Sequence, residues 1–200
     1  ENDKGAKFKI KAEREISVLS RKHVSDILGI EIPSQVEIAA FQSFNKLTNA
    51  GDKKWTPDSG LLNISVQSCF NANRKTYAFI PYRGGEPAKL GDIVRANFLE
   101  ASASADTSER LTVDTDFIKY KVDGRRLGEI GVSPQRSEGI ALSYDETNRI
   151  LTVILYIKPA QLRSYLPSSW RRAADNFGGE GVSVFNNGAP AGSNAPAAAY

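Results

Sequence analysis

The chain is poor in side chains that bind metals, carry redox chemistry or shuttle protons. Its 200 residues include one cysteine, one histidine and no methionine. Cys69 alone cannot form an internal disulfide, and one cysteine with one histidine cannot supply the four ligands of a structural zinc site. His23 is the only histidine available for proton transfer near neutral pH. We therefore expect a chain that folds on its hydrophobic core alone, and we expect no metal and no cofactor.

Enzymatic signatures are missing as well. The sequence contains no G-x-S-x-G, G-x-x-x-x-G-K-[ST], G-x-G-x-x-G or H-E-x-x-H motif, which are the patterns that present a nucleophile, cradle phosphates or bind zinc. Asp114 and Asp116 are spaced to share one face of a strand, where they could act as acid and base or bind a hard cation. Solvated surface charge is the simpler interpretation, and an enzyme that uses this pair is a minority hypothesis.

Long apolar runs and a strong net charge are absent too. No stretch of about 18 apolar residues occurs, so the sequence predicts no transmembrane helix. Lysine and arginine outnumber aspartate and glutamate by 26 to 23, which gives a net charge of +3. Because this imbalance is small, nucleic-acid binding must be judged from the placement of the basic residues rather than from their number.

Residues 1–52 predict one strand and two short helices that pack on the core. Lys7, Lys9 and Lys11 alternate with apolar residues, which puts the three lysines on one face of an extended strand. Such a face protects a sheet edge or contacts an anion, and both interpretations remain open.

The two predicted helices have separate signatures. Ser20 as N-cap and Gly29 as stop signal frame a helix over 21–28. The second helix is predicted to begin after Pro33, because Ser34 and Glu37 form a capping box. Its buried face would carry four residues at helical spacing: Val36, Ala40, Phe44 and Leu47.

Residues 53–177 predict an antiparallel β-sandwich or jelly-roll-like core. Period-two alternation and turn signals indicate about seven strands over 61–158, with no helix-length spacer between them. The apolar phase changes near Phe117 and Ile118, which predicts a β-bulge or bend there. Residues 150–157 are apolar on both faces, which predicts a central, buried strand. The candidate strands are 62–66, 76–80, 93–99, 111–122, 127–132, 139–144 and 150–157.

The end of the chain predicts a short basic helix followed by an extended arm. The helix would lie within 168–172, and the arm covers 178–200, where glycine, alanine, asparagine, serine and proline predominate. Val182, Val184 and Phe185 form a short β-prone insert that could add to the sheet edge of a neighbouring subunit.

Basic and aromatic residues cluster along the second half of the chain. Arginine beside aromatic rings is typical of nucleic-acid contacts and equally of protein interfaces, so both remain open beside an ordinary surface. With the three N-terminal lysines, the candidate contact residues are Arg125, Arg126, Arg163, Tyr165, Trp170, Arg171 and Arg172.

The features together favour a non-enzymatic structural subunit that assembles with copies of itself, of the capsid, coat or filament type. The favoured location is an assembled particle or filament, in a virion or outside the cell, and the alternative is a soluble protein. The alternative is a nucleic-acid-binding protein of sandwich type that does not assemble.

Overall fold

The computed structural model describes residues 1–2, 4–96, 110–125, 127–158, 164–167, 177–187 and 197–199. The protein is mainly β with antiparallel sheets, and it divides into two compact units, Glu1–Ile64 and Ser65–Tyr200. No helix among the described residues has the length and apolarity needed to cross a membrane.

The first unit is a two-stranded ribbon that carries one helix. Strand β1 (Ile10–Val18) pairs antiparallel with β2 (Phe41–Asn49) over all nine residues. Helix α1 (Arg21–Leu28) lies in the connection between them. The predicted capping of α1 is confirmed, because the Ser20 side chain accepts a hydrogen bond from the His23 N–H and Gly29 closes the helix at a φ of 66°.

The prediction of a second helix was wrong. Phe44 and Leu47, assigned to its buried face, lie in β2 instead. The helical spacing of four apolar residues was outweighed by pairing with β1, which satisfies the backbone of nine residues at once. Ser34 lies in a turn instead, where the Val36 N–H donates to the Pro33 carbonyl, and Glu37 follows that turn. The Arg21 guanidinium donates to the carbonyls of Pro33 and Val36.

The second unit contains a five-stranded and a four-stranded sheet, both antiparallel. The five-stranded sheet has the order β5-β6-β4-β8-β9, and the four-stranded sheet has the order β3-β11-β10-β7. A one-turn helix, α2 (Pro87–Leu90), lies outside the sheets. The strands are β3 (Cys69–Asn71), β4 (Thr76–Pro81), β5 (Leu111–Val113), β6 (Phe117–Lys121), β7 (Leu127–Val132), β8 (Ile140–Asp145), β9 (Ile150–Leu155), β10 (Val182–Asn187) and β11 (Ala197–Ala199).

The buried core draws on both sheets of the second unit. The five-stranded sheet contributes Ile80, Ile118 and Tyr120, and the four-stranded sheet contributes Ile130 and Val184, all at most 1% exposed. The described residues of the first unit include none that is buried. The hydrophobic stabilisation of the chain is therefore concentrated in the second unit.

Four strand predictions need correction. The chain does not bulge near Phe117; it reverses at Asp114–Asp116, and β5 and β6 form a hairpin that accounts for the change of phase. Residues 61–68, which include the predicted strand 62–66, form no regular strand. Of the predicted strand 93–99 the structure describes 93–96, where Arg95 makes an isolated bridge to Gly131. Among the described strands, the predicted central strand, β9, lies at the edge of its sheet.

The C-terminal segment is placed in the chain's own sheet. Strand β10 pairs with β7 on one side and with β11 on the other, and Val184 is fully buried. Val182 and Phe185 lie in the same strand, opposite Val132 and Glu129. Val182, Val184 and Phe185 therefore lie in a sheet of the protein itself. The predicted short helix at 168–172 lies outside the described residues.

Candidate interaction surface

The five-stranded sheet has one face in the core and one face turned outward. Along β4, Thr76, Ala78 and Ile80 are buried, so the alternate residues Tyr77 and Phe79 point to the other side. Paired residues of neighbouring strands share a face, and the register therefore extends this outward face across the sheet. Its members are Tyr77, Phe79, Phe117, Lys119, Lys121, Leu142, Tyr144, Leu151, Val153 and Leu155.

The half of this face on β8 and β9, called the aliphatic half below, is aliphatic except for Tyr144 and is largely exposed. Leu151 is 58% exposed and Leu155 is 47% exposed, and Ile157 beyond the strand end is 95% exposed. Leu142 and Val153 lie between them, opposite each other in the register. An apolar patch of this kind is characteristic of an interaction site rather than of ordinary protein surface.

Strand β9 is also an open edge in the described part of the chain. It pairs with β8 and with no other described strand. The stretch 150–157 contains no charged residue, no proline and no glycine, which are the residues that usually keep an exposed edge from pairing with other chains. The long strand β1, by contrast, carries Lys11, Glu13, Arg14 and Glu15.

The half of the face on β4 and β6 is aromatic and basic. The Lys119 ammonium lies 4.3 Å from the centre of the Tyr77 ring, a cation–π contact. The rings of Phe79 and Phe117 have their centres 6.0 Å apart. Lys121 lies opposite Tyr77, so two lysines flank the aromatic residues.

Residues 1–200 match a family described as a family of unknown function (DUF6786). The chain belongs to this family. No curated protein and no solved structure matches the chain. For this DUF6786 protein, function must therefore be argued from the geometry of its own residues.

The described members of the predicted contact set belong to both units. Lys7, Lys9 and Lys11 are exposed in the first unit, and Lys11 pairs with Glu13 at 2.8 Å. Arg125 and Tyr165 belong to the second unit. Arg125 is exposed, and its backbone N–H donates to the Asp123 carboxylate. The Tyr165 carbonyl accepts from the Gly179 N–H, and burial raises the pKa of the Tyr165 phenol. Arg126, Arg163, Trp170, Arg171 and Arg172 lie outside the described residues.

Asp114 and Asp116 do not share a strand face. Both lie exposed in the turn between β5 and β6, where the Asp114 carboxylate accepts from the Thr115 N–H at 2.8 Å. This contact is the ordinary role of aspartate in a turn. The described residues hold no group of three potential metal ligands.

A polar cluster near the end of β9 was missed by the sequence reasoning. The hydroxyls of Ser137 and Tyr156 are hydrogen-bonded, and Lys158 donates to the carbonyls of Pro134 and Ser137. Burial raises the pKa of Tyr156. Because the Lys158 ammonium is occupied by backbone carbonyls, the cluster holds the turn before β8 in place, and we assign it a structural role.

A second buried polar group ties a loop to the core. The fully buried Arg136 guanidinium donates to the carbonyls of Arg83, Gly85 and Gly91 at 2.9, 3.2 and 2.8 Å. Backbone carbonyls offset only part of the free-energy cost of removing the guanidinium charge from water. We assign Arg136 a structural role, in which this desolvation cost lowers its net contribution to stability. No local sequence pattern marks Arg136, since its partners lie 45 to 53 residues away.

The ribbon of the first unit has an exposed apolar face of its own. The register places Ile10, Ile16, Val18 and Phe41 on one side of the ribbon, and they are 50%, 57%, 86% and 66% exposed. On the opposite side four of the eight paired residues are charged, among them Glu13, and the exposed Phe44 lies with them. A two-stranded ribbon is at best marginally stable in water without a covering surface, so this face is a second candidate for contact with a partner.

Proposed function

We propose that this DUF6786 protein is a structural subunit that assembles with copies of itself, and that strand β9 and the aliphatic half of the outward face mediate the contact. The observation that carries the proposal is the exposure of Leu151 and Leu155 on an edge strand, and of Ile157 just beyond it, in a stretch without charge or proline. Such an edge invites pairing with another chain, and in a folded protein a specific partner prevents unspecific aggregation. The proposal assigns the protein no catalytic role.

We also propose that the two sheets of the second unit form a sandwich. One buried cluster combines Ile80, Ile118 and Tyr120 of the five-stranded sheet with Ile130 and Val184 of the four-stranded sheet, which supports packing between their inner faces. The outward face of the five-stranded sheet would then be the face that is available to a second copy. The apolar side of the ribbon would supply a further contact in a larger assembly of the coat or filament type.

The oligomeric state tests the proposal. Sedimentation velocity from about 1 μM to about 1 mM, a range that covers weak and moderate affinities, should show the wild-type protein associating as concentration rises. The Leu151→Lys variant places a charge in the contact and should remain monomeric over the same range. Val66→Lys is the matched control, because Val66 is 62% exposed in the same unit but lies in no strand.

The circular dichroism spectra of both variants should match that of the wild type, since both positions are largely exposed. A wild-type protein that sediments as a monomer at every concentration would refute the assembly proposal. Equal association of all three proteins would show that the contact lies elsewhere on the molecule.

A second candidate function, binding of single-stranded nucleic acid, is favoured by the aromatic and basic half of the face. Tyr77 and Phe79 lie on a central strand with Lys119 beside them, an arrangement suited to base stacking and phosphate contact. Fluorescence anisotropy with a single-stranded oligonucleotide should show affinity that falls with salt and that Lys119→Gln weakens more than Lys53→Gln. Equal losses in the two variants would indicate unspecific charge attraction only.

A further inference from the structure

We propose that two copies of the protein pair through their β9 strands, antiparallel and around a twofold axis at Val153. The two five-stranded sheets would join into one continuous sheet of ten strands. This inference rests on the proposed assembly function and specifies its geometry: which strand pairs, in which direction and in which register.

The hydrogen bonds within the sheet determine which backbone groups of β9 are available. The Tyr156 N–H donates to the Gly139 carbonyl at 2.9 Å, so residue 156 faces β8. Successive residues of a strand direct their N–H and C=O groups to opposite sides, and residues 154, 152 and 150 therefore face β8 as well. The backbone groups of Leu151, Val153 and Leu155 consequently point to the open edge.

The available groups limit the register of pairing with a second copy. In an antiparallel ladder, residues with outward-pointing groups lie opposite one another and exchange two hydrogen bonds per pair. Centring the pair on Val153 places Val153 opposite its own equivalent and Leu151 opposite Leu155 of the second copy. This register uses all three outward-facing residues of each strand, whereas a shift by two residues in either direction leaves one of them without a partner within β9.

The alternation of residues along β9 also decides which faces of the two sheets lie on the same side of the joined sheet. Residues directly opposite each other have their side chains on the same side of a sheet. Leu151, Val153 and Leu155 all belong to the outward face, so their equivalents in the second copy continue that face. The side chains near the axis then form a contiguous patch of leucine and valine across both subunits.

Charge and edge chemistry favour a second copy as the occupant. The stretch 150–157 is uncharged. The flanking charged residues lie outside the paired segment: Arg149 is in the turn before β9, at a φ of 55°, and Lys158 lies three residues beyond the strand. No like charges therefore meet directly. The other edges of the two sheets are less suited to pairing, because β3 and β5 have only three residues each and β7 is bridged by Arg95.

A proline at residue 153, on the proposed twofold axis, tests the β9–β9 pairing and should leave the fold of each subunit intact. The Val153→Pro change removes an N–H that points away from β8 and that none of the described strands uses, which is the kind of edge position that accepts proline. We expect the dimer dissociation constant in sedimentation velocity to rise about tenfold or more, since two hydrogen bonds at the axis are lost. If Val153→Pro does not fold, Val153→Lys tests the same position.

Cross-linking tests the register directly. In a Cys69→Ser background, Val153→Cys should give a covalent homodimer with a short bifunctional maleimide, because the two cysteines would face each other at the axis. Thr112→Cys, which is exposed at the opposite edge of the sheet, is the matched control and should stay monomeric.

The outcomes separate this inference from the broader proposal. A wild-type protein that remains monomeric overturns both. A wild-type oligomer that Val153→Pro or Val153→Lys leaves unchanged, or that cross-links at Thr112→Cys and not at Val153→Cys, overturns the β9 pairing and the part that the proposed function gives to β9. Assembly of the protein with copies of itself would still stand.

Discussion

Removing the carboxylate of Asp123 should destabilise the second unit by several kilocalories per mole. Asp123 lies just after β6, and its two oxygens accept hydrogen bonds from one nitrogen of Arg110 at 3.1 and 2.9 Å. The side chains are 5% and 11% exposed. Asp123 also accepts from the Asn186 side chain in β10, so one carboxylate links the β5–β6 hairpin to the C-terminal strand.

The magnitude follows from the charge that the substitution leaves behind. In Asp123→Asn, the Arg110 guanidinium keeps its charge and its buried position but loses its anionic partner. Breaking a buried pair from one side costs about 3–5 kcal/mol. Arg110 is not fully buried, so we expect about 3 kcal/mol. Replacing both residues, as in Arg110→Met with Asp123→Asn, should recover part of that loss because no unpaired charge remains.

The same carboxylate predicts how stability depends on pH. Burial by itself raises the pKa of Asp123, but the hydrogen bonds from Arg125, Arg110 and Asn186 and the charge of Arg110 outweigh it, so the pKa is lower than in the unfolded chain. The contribution of Asp123 is therefore fully present above the unfolded pKa of about 3.9 and is lost as the pH falls through the lower folded value. The Asp123→Asn variant should lose less stability on acidification than the wild type.

Urea denaturation followed by circular dichroism measures both effects. Midpoints and slopes at pH 7 give the free energy of unfolding for the wild type, the two single variants and the double variant. The same series repeated towards pH 3 gives the acid dependence. A loss below about 1 kcal/mol at pH 7, or wild type and Asp123→Asn curves that run parallel on acidification, would refute the assignment of a stabilising buried pair.

Three further predictions concern local features. Val184→Ala should destabilise the protein by about 2–3 kcal/mol in urea denaturation, since Val184 is fully buried in the chain's own core; a change under about 0.5 kcal/mol would contradict its placement there. Ser20→Ala should lower the helical signal at 222 nm and cost about 1 kcal/mol through the lost cap, while Ser20→Asp should retain the signal. Gly179→Ala should reduce the yield of folded protein, because its added Cβ would lie 2.3 Å from the Leu166 carbonyl oxygen; wild-type thermal stability would show that the approach is not as close.

Local sequence signals identified the elements whose structure depends on neighbouring residues. Helix α1 begins and ends where Ser20 and Gly29 predict, because a side-chain cap and a left-handed glycine act within one turn of the chain. The strands β4, β7 and β8 and the hairpin that joins β8 to β9 also lie where alternation and turn residues predicted them. These patterns report on contacts that are near in sequence.

The position of β9 in its sheet could not be predicted from local sequence patterns. The apolar composition of 150–157 predicted a strand correctly, but the same composition suits a buried central strand and an unprotected edge. Whether Leu151 and Leu155 are covered depends on the order of the strands, which is set by pairings between residues far apart in the chain. The helical spacing of Phe44 and Leu47 misled for the same reason, because β1 supplied a partner about thirty residues away.

The sequence by itself determined that the protein is mainly β, that its sheets are antiparallel, that one short helix forms at 21–28 and that an uncharged strand lies near residue 150. Only the tertiary structure decided that this strand is an edge among the strands that the structure describes, that β10 pairs within the protein's own sheet, and that Asp123 and Arg110 form a buried pair. The physical reason is that periodicity encodes which side of an element is apolar, whereas burial depends on which distant element packs against that side.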